Sequence, residues 1–222
     1  MCGITGWIDW EADLTKERTV LEEMAQTLSC RGPDDSGFWL SPRAALAHRR
    51  LAVIDPKGGR QPMVRRRGER EYVLAYNGEL YNTSELRQDL EARGYTFHGH
   101  SETEALLLAF IEWGTGCLER LNGIFAFAIW SEADQRLFLA RDRLGEKPLY
   151  YGWQGDTFLF GSELKALKAH PAFEGEIDRG ALTLFFRYNY VPAPYSIYRG
   201  IRKLLPGTYA VVRAGTRGVH AT

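Results

Sequence analysis

Apolar residues recur at two different spacings along the chain, and the spacing changes wherever glycine, proline and acidic residues cluster. Ile4, Trp7 and Ile8, directly behind Cys2-Gly3, predict a short strand that fixes the N-terminal end at a sheet. From Thr15, the residues Val20, Leu21, Met24 and Leu28 return at helical spacing with charges between them, so an amphipathic helix is expected to end before Arg31-Gly32-Pro33. The turn-forming run to Gly37 cannot continue it, and Phe38-Trp39-Leu40 resumes a strand. Residues 44–48 and 51–54 read as extended segments interrupted by Arg49-Arg50. Residues 72–76 predict a central strand ending at Asn77-Gly78, a dipeptide that is either a tight hairpin turn or a place where an amide side chain and an exposed N–H bind something.

Thr83 or Ser84 is expected to cap a helix carrying Leu86 and Leu90 and stopped by Gly94. A second helix opens near Ser101-Glu102, is largely buried through Ala105, Leu106, Leu108, Ala109 and Ile111, and ends at Gly114. Residues 124–130 with 136–140, and 149–153 with 157–160, read as two β-hairpins, followed by short helices over 163–170 and 179–186. Residues 188–195 are irregular and proline-rich, and residues 208–212 make one last strand before a polar tail. Hairpin-linked strands with helices grouped between them predict an α+β layered architecture with antiparallel sheets.

A chain of 222 residues that is 45% hydrophobic can bury a substantial core as one large domain, or one domain plus an appendage. Lys+Arg and Asp+Glu both number 28, so no net field favours nucleic acid or an anionic membrane. The Arg65-Arg66-Arg67 run, followed by Gly68 and Glu69, reads as a solvated hairpin tip. Cys2, Cys30 and Cys117 are odd in number and widely spaced, which argues against a disulfide framework and for a reducing compartment, by default the cytoplasm. Cys117 reads as a packed structural thiol. No apolar stretch reaches the length of a membrane span, and no basic and apolar leader opens the sequence.

His98 and His100 lack companions at ligand spacing, so no metal site is expected, and neither a phosphate-binding glycine loop nor a Gly-x-Ser-x-Gly elbow is present. What remains is Cys2 with polar groups at the ends of strands. Removal of Met1 would give one residue a thiol and a free α-amine, which titrate near pH 8.5 and about 8, so the neutral amine could accept the thiol proton. Asn77 and Gly78 could donate to an oxyanion, while Arg50 could grip an α-carboxylate and Glu102 an α-ammonium.

Seven blocks carry a family resemblance: Cys2-Gly3-Ile4; Arg31-Gly32-Pro33-Asp34; Ala47-His48-Arg49-Arg50-Leu51; Tyr76-Asn77-Gly78-Glu79-Leu80-Tyr81-Asn82; Ser101-Glu102-Thr103-Glu104; Leu121-Asn122-Gly123-Ile124-Phe125-Ala126-Phe127-Ala128; and Arg141-Asp142-Arg143-Leu144-Gly145. In this order they resemble the class II glutamine amidotransferase domain of glutamine-hydrolysing asparagine synthetases. The resemblance implies a four-layer αββα N-terminal nucleophile fold with two stacked antiparallel sheets. It implies Cys2 as nucleophile, Asn77 and Gly78 as oxyanion donors, Arg50 and Glu102 on the two ends of glutamine, and a pocket lined by Arg50, Leu51, Ala52, Val53, Ile54, Asn77, Gly78 and Glu79. It further implies a glutaminase domain over residues 1–187 and a connecting segment over 188–222, leading toward an ATP-dependent synthetase domain or subunit. ATP and Mg would serve only that partner, and no cofactor is implied for this chain; a homodimer is left open.

Cys30 stands where the family often has His, and Glu102 where it often has Asp, for which altered affinity at most is expected. No Ser-Gly-Gly-x-Asp-Ser phosphate loop follows, so the chain is expected to be a fragment, a truncated product or a glutaminase working with a separate synthetase. Two other readings stand beside it: a glutaminase serving a different carboxylate acceptor, and a binding module that holds glutamine or a synthetase without turnover.

Overall fold

The computed structural model describes residues 1–52 and 59–221, with backbone alone for 216–221. The strands are β1 (Gly3–Ile8), β2 (Asp35–Leu40), β3 (Ala44–Arg50), β4 (Met63–Arg67), β5 (Arg70–Leu80), β6 (Gly123–Ser131), β7 (Arg136–Arg141), β8 (Tyr150–Gln154), β9 (Thr157–Gly161), β10 (Ile201–Lys203), β11 (Tyr209–Arg213) and β12 (Thr216–Ala221). The helices are α1 (Arg18–Gln26), α2 (Thr83–Glu91), α3 (Glu102–Trp113), α4 (Cys117–Arg120), α5 (Leu164–Lys168) and α6 (Arg179–Tyr188). The strands build two six-stranded sheets, ordered β10-β8-β9-β1-β3-β2 and β12-β11-β7-β6-β5-β4, and the pairings are antiparallel throughout.

Strand alternation decides what lies between the layers. Ile4, Ile8 and Leu46 of the first sheet meet Val73, Ala75, Ala126, Ala128 and Leu139 of the second in one buried cluster. The intervening residues point outward: Trp7, Ala45 and Ala47 pack on Leu21, Met24 and Leu28 of α1 and its exit and on Leu167 of α5. On the other side Leu74, Tyr76 and Phe127 pack on Leu86 and Leu90 of α2 and on the apolar residues of α3. The result is the expected four-layer αββα arrangement. By the same period of two, Cys2, His48, Arg50 and Asn77 fall in phase with the residues that face the inter-sheet space. His48 Nε2 donates across it to the Tyr76 carbonyl at 3.0 Å.

Several local expectations change. Asn77-Gly78 is not a turn, because β5 continues through it to Leu80, paired with β6 from Tyr72↔Ser131 to Leu80↔Gly123. Arg65, Arg66 and Arg67 lie in β4 rather than at the hairpin tip, which is formed around Gly68 at a φ of +60°. Each arginine has an acid: Glu104, Glu71 and Glu112 respectively. Residues 51–52 do not resume a strand, and Val53 and Ile54 lie outside the described residues. The helix expected from Thr15 begins at Arg18, after a short 3-10 turn capped by Asp13. Asn82, not Thr83 or Ser84, occupies the cap position of α2. Strand formation does not stop at residues 208–212: β12 follows β11, and β10 precedes it, so the stretch expected to be a connector supplies edge strands to both sheets. Cys117 is fully buried, and burial pushes its thiol up to about 12. No helix among the described residues is long and apolar enough to cross a membrane.

Burial holds both His48 and His170 down to about 4. A histidine whose folded value is depressed stabilises the fold above its unfolded value of 6.5, and that stability is lost as pH falls from there toward 4. For His48 the loss amounts to about 3 kcal/mol. Melting curves are expected to fall over this window, and His48→Gln, which retains a donor but does not titrate, is expected to give a shallower fall.

Candidate active site

Cys2 is placed by neighbours distant in sequence. Arg31 Nε donates to the Cys2 carbonyl at 2.9 Å, and Arg31 Nη1 pairs with Glu163 Oε1 at 2.9 Å. Two residues on, the Ile4 N–H donates to Ser162 Oγ at 3.0 Å. The thiol meets β3's exit: the Leu51 N–H points to Cys2 Sγ at 3.5 Å, and Sγ lies 3.7 Å from the Leu51 carbonyl. The loop that carries Arg31 is itself fixed, since Asp34 N–H donates to the Arg50 carbonyl, Asp34 Oδ2 accepts the Ala52 N–H at 2.8 Å, and Arg49 Nε donates to the Gly32 carbonyl. Gly32 is required there because a Cβ would stand 2.2–2.4 Å from the Arg49–Arg50 backbone.

A cavity of about 180 Å³ opens beside Cys2. Of the residues expected to line it, Cys2, Arg50, Leu51, Asn77, Gly78, Glu79 and Glu102 do so, while Ala52 does not. Asn77 is 2% exposed, and its Nδ2 has no hydrogen-bond partner among the described residues, so an amide donor is buried at the wall with nothing to donate to. Gly78 is confined: a Cβ would lie 2.4 Å from the Ile124 carbonyl oxygen and 2.8 Å from Phe125 Cα.

Glu102 opens α3, where Ser101 caps the helix by accepting the Glu104 N–H. Its Oε2 accepts the Leu80 N–H at 2.6 Å. Burial raises the Glu102 pKa above its ordinary 4.5, the Leu80 bond opposes this, the Glu79 charge adds to it and Lys147 works against it. The Tyr76 hydroxyl stands beside Glu102 without closing a hydrogen bond, and burial followed by the Glu102 charge pushes it well up. Two cationic side chains, Arg50 and Lys147, and two carboxylates, Glu79 and Glu102, therefore surround one small cavity. Such a set complements a zwitterion.

Sequence reasoning missed the supports. Arg31 and Asp34 sat in a recognised block, but their duty shows only once residues 29 and 18 positions apart meet. Gln61 was not singled out: its Oε1 accepts the Tyr76 N–H at 2.6 Å, and its amide points to Thr103 Oγ1 at 3.4 Å, tying the strand to the helix head. Lys147, also missed, is held through its backbone: its N–H donates to buried Asp142 at 3.1 Å and its carbonyl accepts Arg141 Nε at 2.7 Å. No group of His, Cys, Asp and Glu able to hold a metal ion occurs among the described residues.

Comparison with solved structures finds the same fold elsewhere. A glutamine phosphoribosylpyrophosphate amidotransferase from Bacillus subtilis superimposes over the whole chain and 49% of its own, at a TM-score of 0.73 and 21% identity. The family model described as glutamine amidotransferase domain matches residues 1–221, and the chain belongs to that family. It is 48% identical over 207 residues to a B. subtilis protein named asparagine synthetase [glutamine-hydrolyzing] 3, covering 93% of this chain and 34% of that one. It is 38% identical over 168 residues to asparagine synthetase B [glutamine-hydrolyzing] of Escherichia coli K12, covering 75% and 30%. The chain thus spans about a third of the length of these curated relatives.

Replacing Gly78 by alanine forces a Cβ into the β5–β6 ladder. Overpacking of this kind costs ~2 kcal/mol, and the melting temperature is expected to fall by about 4–8 °C, read by calorimetry against wild type.

Proposed function

We propose that the chain hydrolyses glutamine to glutamate and ammonia, and that the ammonia serves ATP-dependent amidation of aspartate to asparagine by a synthetase domain or subunit beyond this chain. The observation that carries the reading is the unpaired, buried Asn77 amide beside Cys2, in a cavity whose charges match an amino acid at both ends. Family membership supports the glutamine chemistry, and the names of the relatives support aspartate as acceptor. We assign the cytoplasm as its compartment, a reading supported by three free cysteines.

The reaction begins after Met1 is removed. The Cys2 α-amine takes the thiol proton as sulfur attacks the side-chain amide carbon, and the developing oxyanion accepts from Asn77 Nδ2 and the Gly78 N–H. The carbon–nitrogen bond breaks, the ammonium form of the amine gives its proton to the departing nitrogen, and ammonia leaves a γ-glutamyl thioester. Water then loses a proton to the amine while attacking the thioester. The carbon–sulfur bond breaks, sulfur recovers the proton, and glutamate is released. Arg50 holds the α-carboxylate and Glu102 the α-ammonium; Leu51 and Glu79 complete the wall.

Glutamate formation by the methionine-processed chain tests this. Cys2→Ala is expected to abolish it, and Asn77→Ala to lower kcat about 10²–10³-fold with a smaller change in KM; glutamate formation equal to that of Cys2→Ala would refute the reading. Because only ionised Glu102 pairs with an ammonium, KM is expected to rise as pH falls through the elevated Glu102 value, above 4.5. Glu102→Gln is expected to show a high KM without that acid-side rise.

A further inference from the structure

Lys147 is the cation at the mouth of the cavity that the mechanism leaves unused. Its Nζ lies 3.5 Å from Met1 Sδ, and it shares the cavity wall with Cys2. Covalent reach along the Met1 side chain puts that ammonium at most roughly 10 Å from the Cys2 nitrogen, close to the Debye length of ~8 Å at physiological salt, and a partly enclosed cavity wall screens charges less than open water does. The placement is not loose. Asp142 is 1% exposed and accepts the N–H groups of Leu144, Glu146 and Lys147, while the Asp142 carbonyl accepts those of Gly145 and Gly207. Arg141 donates to the carbonyls of Gly145, Lys147 and Leu204. The root of the lysine is therefore fixed on both sides of its own peptide units, and only the flexible stem moves.

We propose that Lys147 is a positioning residue for the base: its ammonium opposes protonation of the Cys2 α-amine and so enlarges the neutral, proton-accepting fraction of that amine near neutral pH. The proposal rests on the glutaminase reading above. A positive charge near an amine disfavours the second positive charge. The other charged and titratable groups facing this end of the cavity are Arg50 from β3, Tyr76 and Glu79 from β5, Glu102 at the head of α3, and the Cys2 thiol. Arg31, paired with Glu163, stands behind the Cys2 carbonyl. Glu79 and Glu102 favour the ammonium form of a nearby amine; Arg50, Arg31 and Lys147 oppose it, with Arg31 offset by Glu163. Lys147 is the cation in contact with Met1.

Two measurements test this on the methionine-processed full chain. Titration of [15N]cysteine-labelled protein by NMR reads the α-amine directly. In Lys147→Met its pKa is expected to rise by about half to one unit, with Lys147→Arg restoring the wild-type value. The acid limb of kcat/KM for glutamine is expected to move upward by the same amount, so that the rate on that limb falls ~3–10-fold. An unmoved amine titration overturns the proposal. So does a raised KM with an unmoved acid limb, which would make Lys147 a substrate clamp. Lys147→Gln gives the same comparison if Lys147→Met melts below the assay temperature. Absence of glutamate formation by wild type would defeat the glutaminase reading, while the NMR titration still decides the role of Lys147.

Discussion

The hydrogen bond from His48 to the Tyr76 carbonyl crosses from one sheet to the other, one residue before Asn77. The inner faces of the two sheets mix small residues such as Ala75, Ala126 and Ala128 with large ones such as Trp130 and Phe160, and the attraction between such apolar surfaces has no direction of its own. A buried polar bond at 3.0 Å is less forgiving, because sliding the sheets would leave a carbonyl and a ring nitrogen without partners in the interior. The bond therefore selects one stacking. In that stacking the start of β1, the exit of β3 and the end of β5 that Glu102 of α3 holds come together, and Cys2 shares one cavity with Asn77.

Around this junction, side chains from remote segments hold backbone rather than one another. Arg31 holds the carbonyl of Cys2, Asp34 the amide of Ala52, Gln61 the amide of Tyr76 and Glu102 the amide of Leu80. Glu104 does the same for His98 and Gly99 while paired with Arg65; burial alone would raise its pKa, but the bonds from His98, Arg65 and Gly99 outweigh that and lower it. Such contacts fix atomic positions without occupying the cavity. Reacting groups gain from being held in place before the substrate arrives.

The layered fold could be read from alternation and helical spacing, because each depends on residues close in sequence. Cys2, Arg50, Asn77 and Glu102 could be named from the family blocks, and they do line one cavity. What escaped was whatever depends on pairing at a distance. Asn77-Gly78 has the composition of a turn, yet β6 supplies a partner for every residue through Leu80, and tertiary pairing overrides the local preference. Arg66 and Arg67 of β4 are exposed, as the charge run predicts, but the acids that all three arginines meet could not be seen, because they lie across the ladder at Glu71 or on α3 at Glu104 and Glu112. β10 is only three residues long and carries no periodic signal of its own.

The buried polar atoms without partners also have a distribution. Among the described residues these are Asn77 Nδ2, Tyr76 Oη and Arg31 Nη2, together with the indole nitrogens of Trp10 and Trp153. The first three border or support the cavity at Cys2. A group left unpaired in the interior burdens the folded state by about 1–3 kcal/mol, so the surroundings of this cavity are less stable than the fold would permit. On the function proposed above, sequence optimisation for heat resistance alone would replace Asn77 early, and the resulting protein would be sturdier and far slower. The tension between durability and activity in this chain is thus concentrated in a few buried donors around one cavity.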